Sequence, residues 1–143
     1  MEKILIAFHG SDCALGAVQR VADLAKRARP GDPFLLYVGR SIPMRLLEGT
    51  RSAVHRLETQ LREAGEKLLG PAKEALARAG IDAPVQVEFG DDPGRVIVEH
   101  AKRHYCDMIV KGPHGRGGPG DLVVGSVADT VLHLAHIPVT FVR

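Results

Sequence analysis

The stretch GDDPGRVIVEHAKRHYCDMIVKG, residues 90–112, contains three local signals in succession. Asp91 or Asp92 stands before Pro93, which is typical of a helix start: the carboxylate accepts backbone N–H bonds, and proline is tolerated in the first turn. The apolar run DMIVK (107–111) follows the helix and has the composition of a strand buried on both faces. This stretch therefore predicts a turn, a helix and a buried strand that ends at a glycine.

The same alternation extends along the whole chain. Apolar residues recur at helical spacing in segments that begin near residues 14, 57, 93 and 124. Strict alternation of strands and helices indicates a parallel sheet covered by helices on both faces. We therefore predict an α/β fold, a single doubly wound domain over residues 1–143 with an open, parallel, five-stranded sheet. The predicted strands are KILIAF (3–8), FLLYV (34–38), APVQVEF (83–89), DMIVK (107–111) and PVTFVR (138–143).

Two segments interrupt this regular pattern. Residues 39–52 lack a clear period and are predicted as a longer loop. The dipeptide Gly70-Pro71 falls inside an apolar stripe of helical spacing, and proline removes a backbone hydrogen-bond donor. We therefore predict a break or kink in the second helix at this point.

The most glycine-rich segment is GPHGRGGPGDLVVGS, residues 112–126. It follows the fourth predicted strand and leads into the last helix, so it lies at the edge of the sheet where doubly wound folds bind ligands. The free amides of a helix N-terminus suit a phosphate group. No Gly-Lys-Ser/Thr ends the segment, so it is not a P-loop. Its G-x-G-x-x-G spacing is far from the first strand-to-helix turn, where dinucleotide-binding folds carry that motif.

Composition excludes several classes of function. The formal net charge of +2 and the aromatic content of 4% argue against a nucleic-acid surface. No apolar run is long enough for a transmembrane helix, and the N-terminus does not resemble a signal peptide. Cys13 and Cys106 do not form a disulfide pattern. We therefore expect a cytoplasmic protein that binds neither nucleic acid nor membrane.

Part of the glycine-rich segment follows a second spacing. Gly112, Gly115 and Gly125 are separated by two and nine residues, and Ser126 follows, which gives G-x2-G-x9-G-[S/T]. This motif resembles the nucleotide-binding signature of the ATP-binding universal stress proteins. The resemblance extends over the whole chain, because KILIAFHGSDCA, residues 90–112 and GSVADTVLHLAHIPVTFVR are also similar to the corresponding segments of that family.

The resemblance implies the strand order 3-2-1-4-5 and a site for ATP, AMP or ADP between the first and fourth strands. Adenine would contact the main chain near Ala7 and Val38, the nucleoside would contact position 9, and phosphates would bind where the last helix begins. The implied nucleotide-binding residues are Ala7, Phe8, His9, Val38, Lys111, Gly112, Gly115, Arg116, Gly125, Ser126 and Val127.

Three residues depart from the family pattern or complicate it. The family's ATP binders usually carry Asp where this chain has His9, and a neutral imidazole offers one donor and one acceptor, whereas a carboxylate only accepts. Because free histidine titrates near 6.5, we expect ATP affinity to vary between about pH 5.5 and 8. Lys111 replaces a residue that is more often apolar. Asp121 could hold Mg²⁺ or repel phosphate, and the sequence leaves both readings open.

The sequence contains no catalytic motif, so any ATP hydrolysis is expected to be slow. The resemblance implies a stress-response sensor whose bound adenine nucleotide determines what it contacts. The alternative is a nucleotide-free dimeric interaction module in which the phosphate cradle is vestigial. The resemblance also implies a homodimer, since members of that family commonly dimerise through the last strand, and IPVTFVR (137–143) is apolar enough to pair with its copy across a two-fold axis.

Two histidines and two cysteines have simpler interpretations than a ligand site. His100 and His104 are four residues apart and could share a metal, but no third ligand is evident, and we expect surface histidines on a basic helix. Cys13 and Cys106 are expected to be small buried residues.

Overall fold

The computed structural model describes residues 2–9, 15–27, 31–41, 48–112 and 125–142. In these ranges the chain forms five strands and four helices in strict alternation, as the sequence predicts. In chain order they are β1 Lys3–His9, α1 Leu15–Arg27, β2 Asp32–Gly39, α2 Arg51–Arg78, β3 Val85–Phe89, α3 Pro93–Arg103, β4 Met108–Lys111, α4 Ser126–Leu134 and β5 Val139–Phe141.

All strand pairs are parallel, and the sheet has the order β3-β2-β1-β4-β5. The predicted fold class and strand order are therefore confirmed. Alternate residues of β1 enter two separate apolar clusters: Ile4, Ile6 and Phe8 pack with α1 and α2, while Leu5 and Ala7 pack with α3 and α4. Helices therefore cover both faces of the sheet. None of the described helices is both long and apolar enough to cross a lipid bilayer.

Helix α2 does not break at Gly70-Pro71, so the prediction of a break there is wrong. One helix of 28 residues includes Pro71. Proline removes one backbone bond from the helix, but Leu69, Ala72 and Leu76 on either side of it are all buried in the same cluster. Burial of this continuous stripe outweighs the loss, because packing supplies most of the stability of a helix in a protein.

Helix α3 begins as predicted, with Asp92 as its cap and Pro93 in its first turn. Asp92 Oδ1 accepts a hydrogen bond from the Arg95 amide at 3.3 Å. At the other end, the Cys106 amide donates to Ala101 and the Tyr105 amide donates to Lys102, which is the Schellman pattern. This pattern requires a left-handed residue, and Tyr105 takes that role with φ 53°.

The two edges of the sheet are protected differently. At the β3 edge, the Arg62 guanidinium of α2 donates to the Val87 carbonyl at 2.8 Å and lies 5.7 Å from the centre of the Phe89 ring. This side chain occupies a backbone acceptor that another strand would otherwise use. The β5 edge is a strand of three residues in which Thr140 and Phe141 are exposed.

Candidate functional site

The carboxyl ends of β1, β2 and β4 bring several predicted site residues together. His9 ends β1 beside Val38 of β2, and Ala7 pairs with Lys111 at the end of β4. The chain leaves β1 toward β2 on one side, whereas β4 lies on the other, so the strand order reverses here. Open α/β sheets bind ligands at such a switch point. We call this place the crevice.

One face of the sheet contributes most of the crevice. Ala7, Val38 and Val127 belong to the apolar cluster packed with α3 and α4. His9 follows Ala7 by two residues on β1, and Lys111 follows Ile109 by two residues on β4. Side chains two residues apart on a strand point to the same face, so both point toward the face covered by α3 and α4. The Phe8 side chain belongs to the opposite cluster.

His9 and Lys111 form a buried pair at the base of the crevice. Lys111 Nζ lies 2.9 Å from His9 Nδ1, and the two residues are 1% and 8% exposed. The two nitrogens share one hydrogen bond, and the tautomer of His9 sets which of them donates. Both residues are predicted from the sequence to lie at the site, but their contact with each other is not. The register of β1 and β4 was the signal, since it places the two strand ends side by side.

Helix α4 begins at this crevice, and no side chain among the described residues caps it. Its N-cap is Gly125, which has no side chain to donate or accept, whereas Thr50 and Asp92 cap α2 and α3. Ser126 is exposed while Val127 and Ala128 are buried, so the first turn is anchored by apolar contacts. The first amides of a helix point outward and carry partial positive charge. This arrangement can accept an anionic group.

Close packing against α3 positions the start of α4. A Cβ atom added to Gly94 would lie 2.7 Å from Thr130 Cβ and 3.0 Å from the Val127 carbonyl oxygen. Both distances are shorter than ordinary van der Waals contact. The absence of a side chain at Gly94 therefore allows α4 to approach α3 at the turn that follows Ser126.

Some predicted site residues lie outside the described residues. Gly115 and Arg116 are among them, as is Asp121, and Gly112 is the last described residue before that gap. The described part of the crevice therefore contains Ala7, His9, Val38, Lys111, Gly112 and the Gly125–Val127 turn.

A pair of neighbouring histidines, His100 and His104, lies near the amino-terminal ends of the strands. His100 is 2% exposed, so the prediction that it is a surface residue is wrong. Its Nε2 lies 2.5 Å from Gln86 Oε1, and its ring centre lies 4.2 Å from that of His104. Burial and the neighbouring His104 lower the pKa of His100 to about 4. Among the described residues, no group of three or more His, Cys, Asp or Glu side chains could hold a metal.

The fold and the crevice define a doubly wound α/β domain with its candidate site at the switch point. The chain belongs to the Universal stress protein family, whose model matches residues 1–143. Universal stress protein YxiE of Bacillus subtilis is 31% identical over 147 residues, which cover 99% of this chain and 98% of that protein. The resemblance found in the sequence is therefore confirmed.

Solved structures show the same fold. Universal stress protein UspA from Lactobacillus plantarum superposes with a TM-score of 0.73 at 24% identity, covering 99% of this chain and 97% of that one. The universal stress protein from Archaeoglobus fulgidus, solved in complex with dAMP, has a TM-score of 0.63 at 20% identity and covers 100% of this chain and 98% of its own.

Proposed function

We propose that this protein binds an adenine nucleotide, ATP in particular, in the crevice and acts as a stress-response sensor whose ligand state determines its contacts. The observation that carries this proposal is the start of α4, which no described side chain caps and whose Val127 packs in one cluster with Ala7 of β1 and Ile109 of β4. The motif G-x2-G-x9-G-S includes this helix start. An adenine nucleotide, dAMP, is bound by the related protein from Archaeoglobus fulgidus.

The buried pair places two nitrogen groups where the resemblance implies an aspartate in the family's ATP binders. A proton that this pair holds acts more strongly on a bound phosphate in a low-dielectric site than it would in water. The first turn of α4 adds partial positive charge from its amides. Both features favour an anionic ligand such as ATP, with or without Mg²⁺.

Calorimetric titration of nucleotide-stripped protein with AMP, ADP and ATP, with and without Mg²⁺, tests this function. We expect a Kd of about 100 μM or lower for ATP, which is about −5.5 kcal/mol. Ser126→Ala removes the hydroxyl at the start of α4 and is expected to weaken binding by about tenfold or more, since a hydrogen bond to a charged group contributes about 1.5–3 kcal/mol.

Ser52→Ala is the matched control for this experiment. Ser52 also lies exposed in the first turn of a helix, but α2 is capped by Thr50. This variant is expected to bind ATP like the unaltered protein. No heat at millimolar ATP, together with an unchanged melting temperature, would contradict nucleotide binding. The alternative function, a nucleotide-free dimeric interaction module, would then account for the protein.

We also propose a homodimer through β5. The covered β3 edge leaves β5 as the edge with exposed Thr140 and Phe141. Light scattering at tens of micromolar is expected to give twice the chain mass of 15.4 kDa. Phe141→Asp places a charge in the pairing strand and should yield monomers, whereas Leu68→Asp, an exposed position on α2, should not. A monomeric unaltered protein would refute this assembly.

A further inference from the structure

A small cavity lies between the end of α3, the start of β4 and the segment that joins α4 to β5. Its volume is about 200 Å³. Strand β4 begins here and runs toward the crevice. The cavity therefore lies at the amino-terminal ends of the strands, whereas the crevice lies at their carboxyl-terminal ends. Nothing in the proposed nucleotide site accounts for it.

The walls of this cavity are apolar. Val98 of α3, Ile109 of β4 and Ile137 before β5 line it, together with Cys106. The Cys106 thiol is buried, and burial raises its pKa, so the group stays neutral. An apolar cavity of about 150 Å³ can hold a single benzene ring. The interior of this cavity therefore has room for one ring or a short alkyl chain.

The rim of the cavity differs from its walls. Lys102 and His136 line it and are exposed, and the described residues that line it include no Asp or Glu. A lysine ammonium beside an apolar wall favours a ligand with an apolar body and an anionic end. We expect the anionic end to be a carboxylate, because a carboxylate can accept hydrogen bonds from the Lys102 ammonium while it stays in contact with water.

Tyr105 also lies at the rim, and its backbone conformation is unusual. It takes φ 53°, a left-handed conformation that costs a residue other than glycine about 1–3 kcal/mol. Its side chain is 87% exposed, so it contributes little to the core of the protein. The same residue lines the cavity. The Schellman cap of α3 sets this backbone conformation, and the conformation places the Tyr105 side chain at the cavity.

We propose that this cavity binds a small monocarboxylate whose apolar part is a single ring or a short alkyl chain. The apolar part enters between α3 and Ile137, and the carboxylate meets Lys102 at the rim. The exposed ring of Tyr105 covers the bound molecule on its solvent side. This second site does not depend on nucleotide binding.

The test is a titration of the ¹⁵N-labelled protein with 3-phenylpropionate, followed by amide chemical shifts. Shifts are expected at Tyr105, Cys106 and Ile137, saturating with a Kd of about 1 mM or below. The uncharged 3-phenylpropanol should bind about two- to fivefold more weakly, and Lys102→Gln should remove this difference. Lys73→Gln, an exposed lysine on α2, should preserve it.

Two further variants test the cavity itself. Ala135→Phe fills it and should abolish the shifts, while Ala64→Phe on the exposed face of α2 should not. Tyr105→Gly should weaken binding while leaving the melting temperature equal or higher, because glycine relieves the left-handed strain. Unsaturable shifts, equal binding by Ala135→Phe, or equal binding by Tyr105→Gly would overturn the proposal.

Discussion

Acidification from pH 7.5 to pH 4 is expected to lower the free energy of unfolding by about 3 kcal/mol through His100 alone. The folded protein keeps this imidazole neutral until the pH approaches its pKa of about 4. In the unfolded chain the same group takes up a proton near pH 6.5. The unfolded state therefore binds more protons between these values, and stability is lost as the pH falls through this window.

The surroundings of His100 explain the direction of its pKa. Burial of the His100 side chain beside Phe34 and Gln86 is the main cause, and the adjacent His104 adds to it, as does Arg103 to a smaller extent. Glu88 of β3 opposes the shift, since its carboxylate oxygen lies 3.4 Å from Nδ1. Glu88 is also 3.8 Å from the Arg103 guanidinium, so its charge is shared. One partly exposed carboxylate does not compensate for the desolvation of a buried imidazolium.

Urea unfolding at pH 7.5, 6.5, 5.5 and 4 measures this effect. His100→Gln removes the titrating group, and its stability should fall about 3 kcal/mol less over the range. The comparison uses the change with pH for each variant, so a constant cost of the substitution cancels. His133→Gln is the matched control, because that histidine side chain is 73% exposed. Equal pH dependence in all three proteins would show that His100 does not cause the loss.

The error about His100 has a local origin. The end of α3 carries His100, Lys102, Arg103 and His104, and such a basic run is typical of a solvated helix end. Spacing gives the opposite answer: Ile97, His100 and Ala101 share one buried stripe, three to four residues apart. A histidine at such a position is buried by its neighbours. Periodicity was therefore a better guide than the chemical type of the residue.

The fold could be predicted because alternation constrains it tightly. Runs such as residues 3–8 have no polar face, so they belong in the middle of a covered sheet. The strand order needed the resemblance, since alternation alone does not order parallel strands. The behaviour of Pro71 depended on packing with β1 and β2, which no local pattern contains. Likewise, the pairing of Lys111 with His9 joins strands 102 residues apart.

Gly94→Ala is expected to destabilise the protein by about 1–3 kcal/mol and to weaken nucleotide binding. The new methyl group would meet Thr130 Cβ at 2.7 Å, and that atom is close to the backbone and has little freedom to move. Helix α4 must therefore shift away from α3. Because the same helix begins at Ser126, the shift also displaces the amides proposed to hold phosphate. We expect a loss of ATP affinity of about threefold or more.

Gly70→Ala is the matched control for this substitution. Gly70 lies inside α2, and apart from its chain neighbours and the helix backbone a Cβ atom added there meets nothing within 4 Å. Alanine loses less backbone freedom than glycine on entering a helix, but Pro71 follows directly and disfavours the helical conformation for a residue that carries a Cβ. The two effects oppose each other, so the stability of this variant should change by less than about 0.5 kcal/mol. Its ATP affinity should be unchanged. The same chemical change is therefore expected to cost much more at Gly94 than at Gly70.

Denaturant unfolding and calorimetric titration of both variants separate the two parts of this prediction. A destabilised Gly94→Ala with normal ATP affinity would mean that α4 adapts without moving its first turn, and the phosphate would then depend on other groups. A Gly94→Ala variant as stable as the unaltered protein would contradict the close approach of α3 and α4. Loss of both properties, with Gly70→Ala close to the unaltered protein in both, is the expected result, because one contact between two helices is expected to set the position of the α4 amides at the crevice.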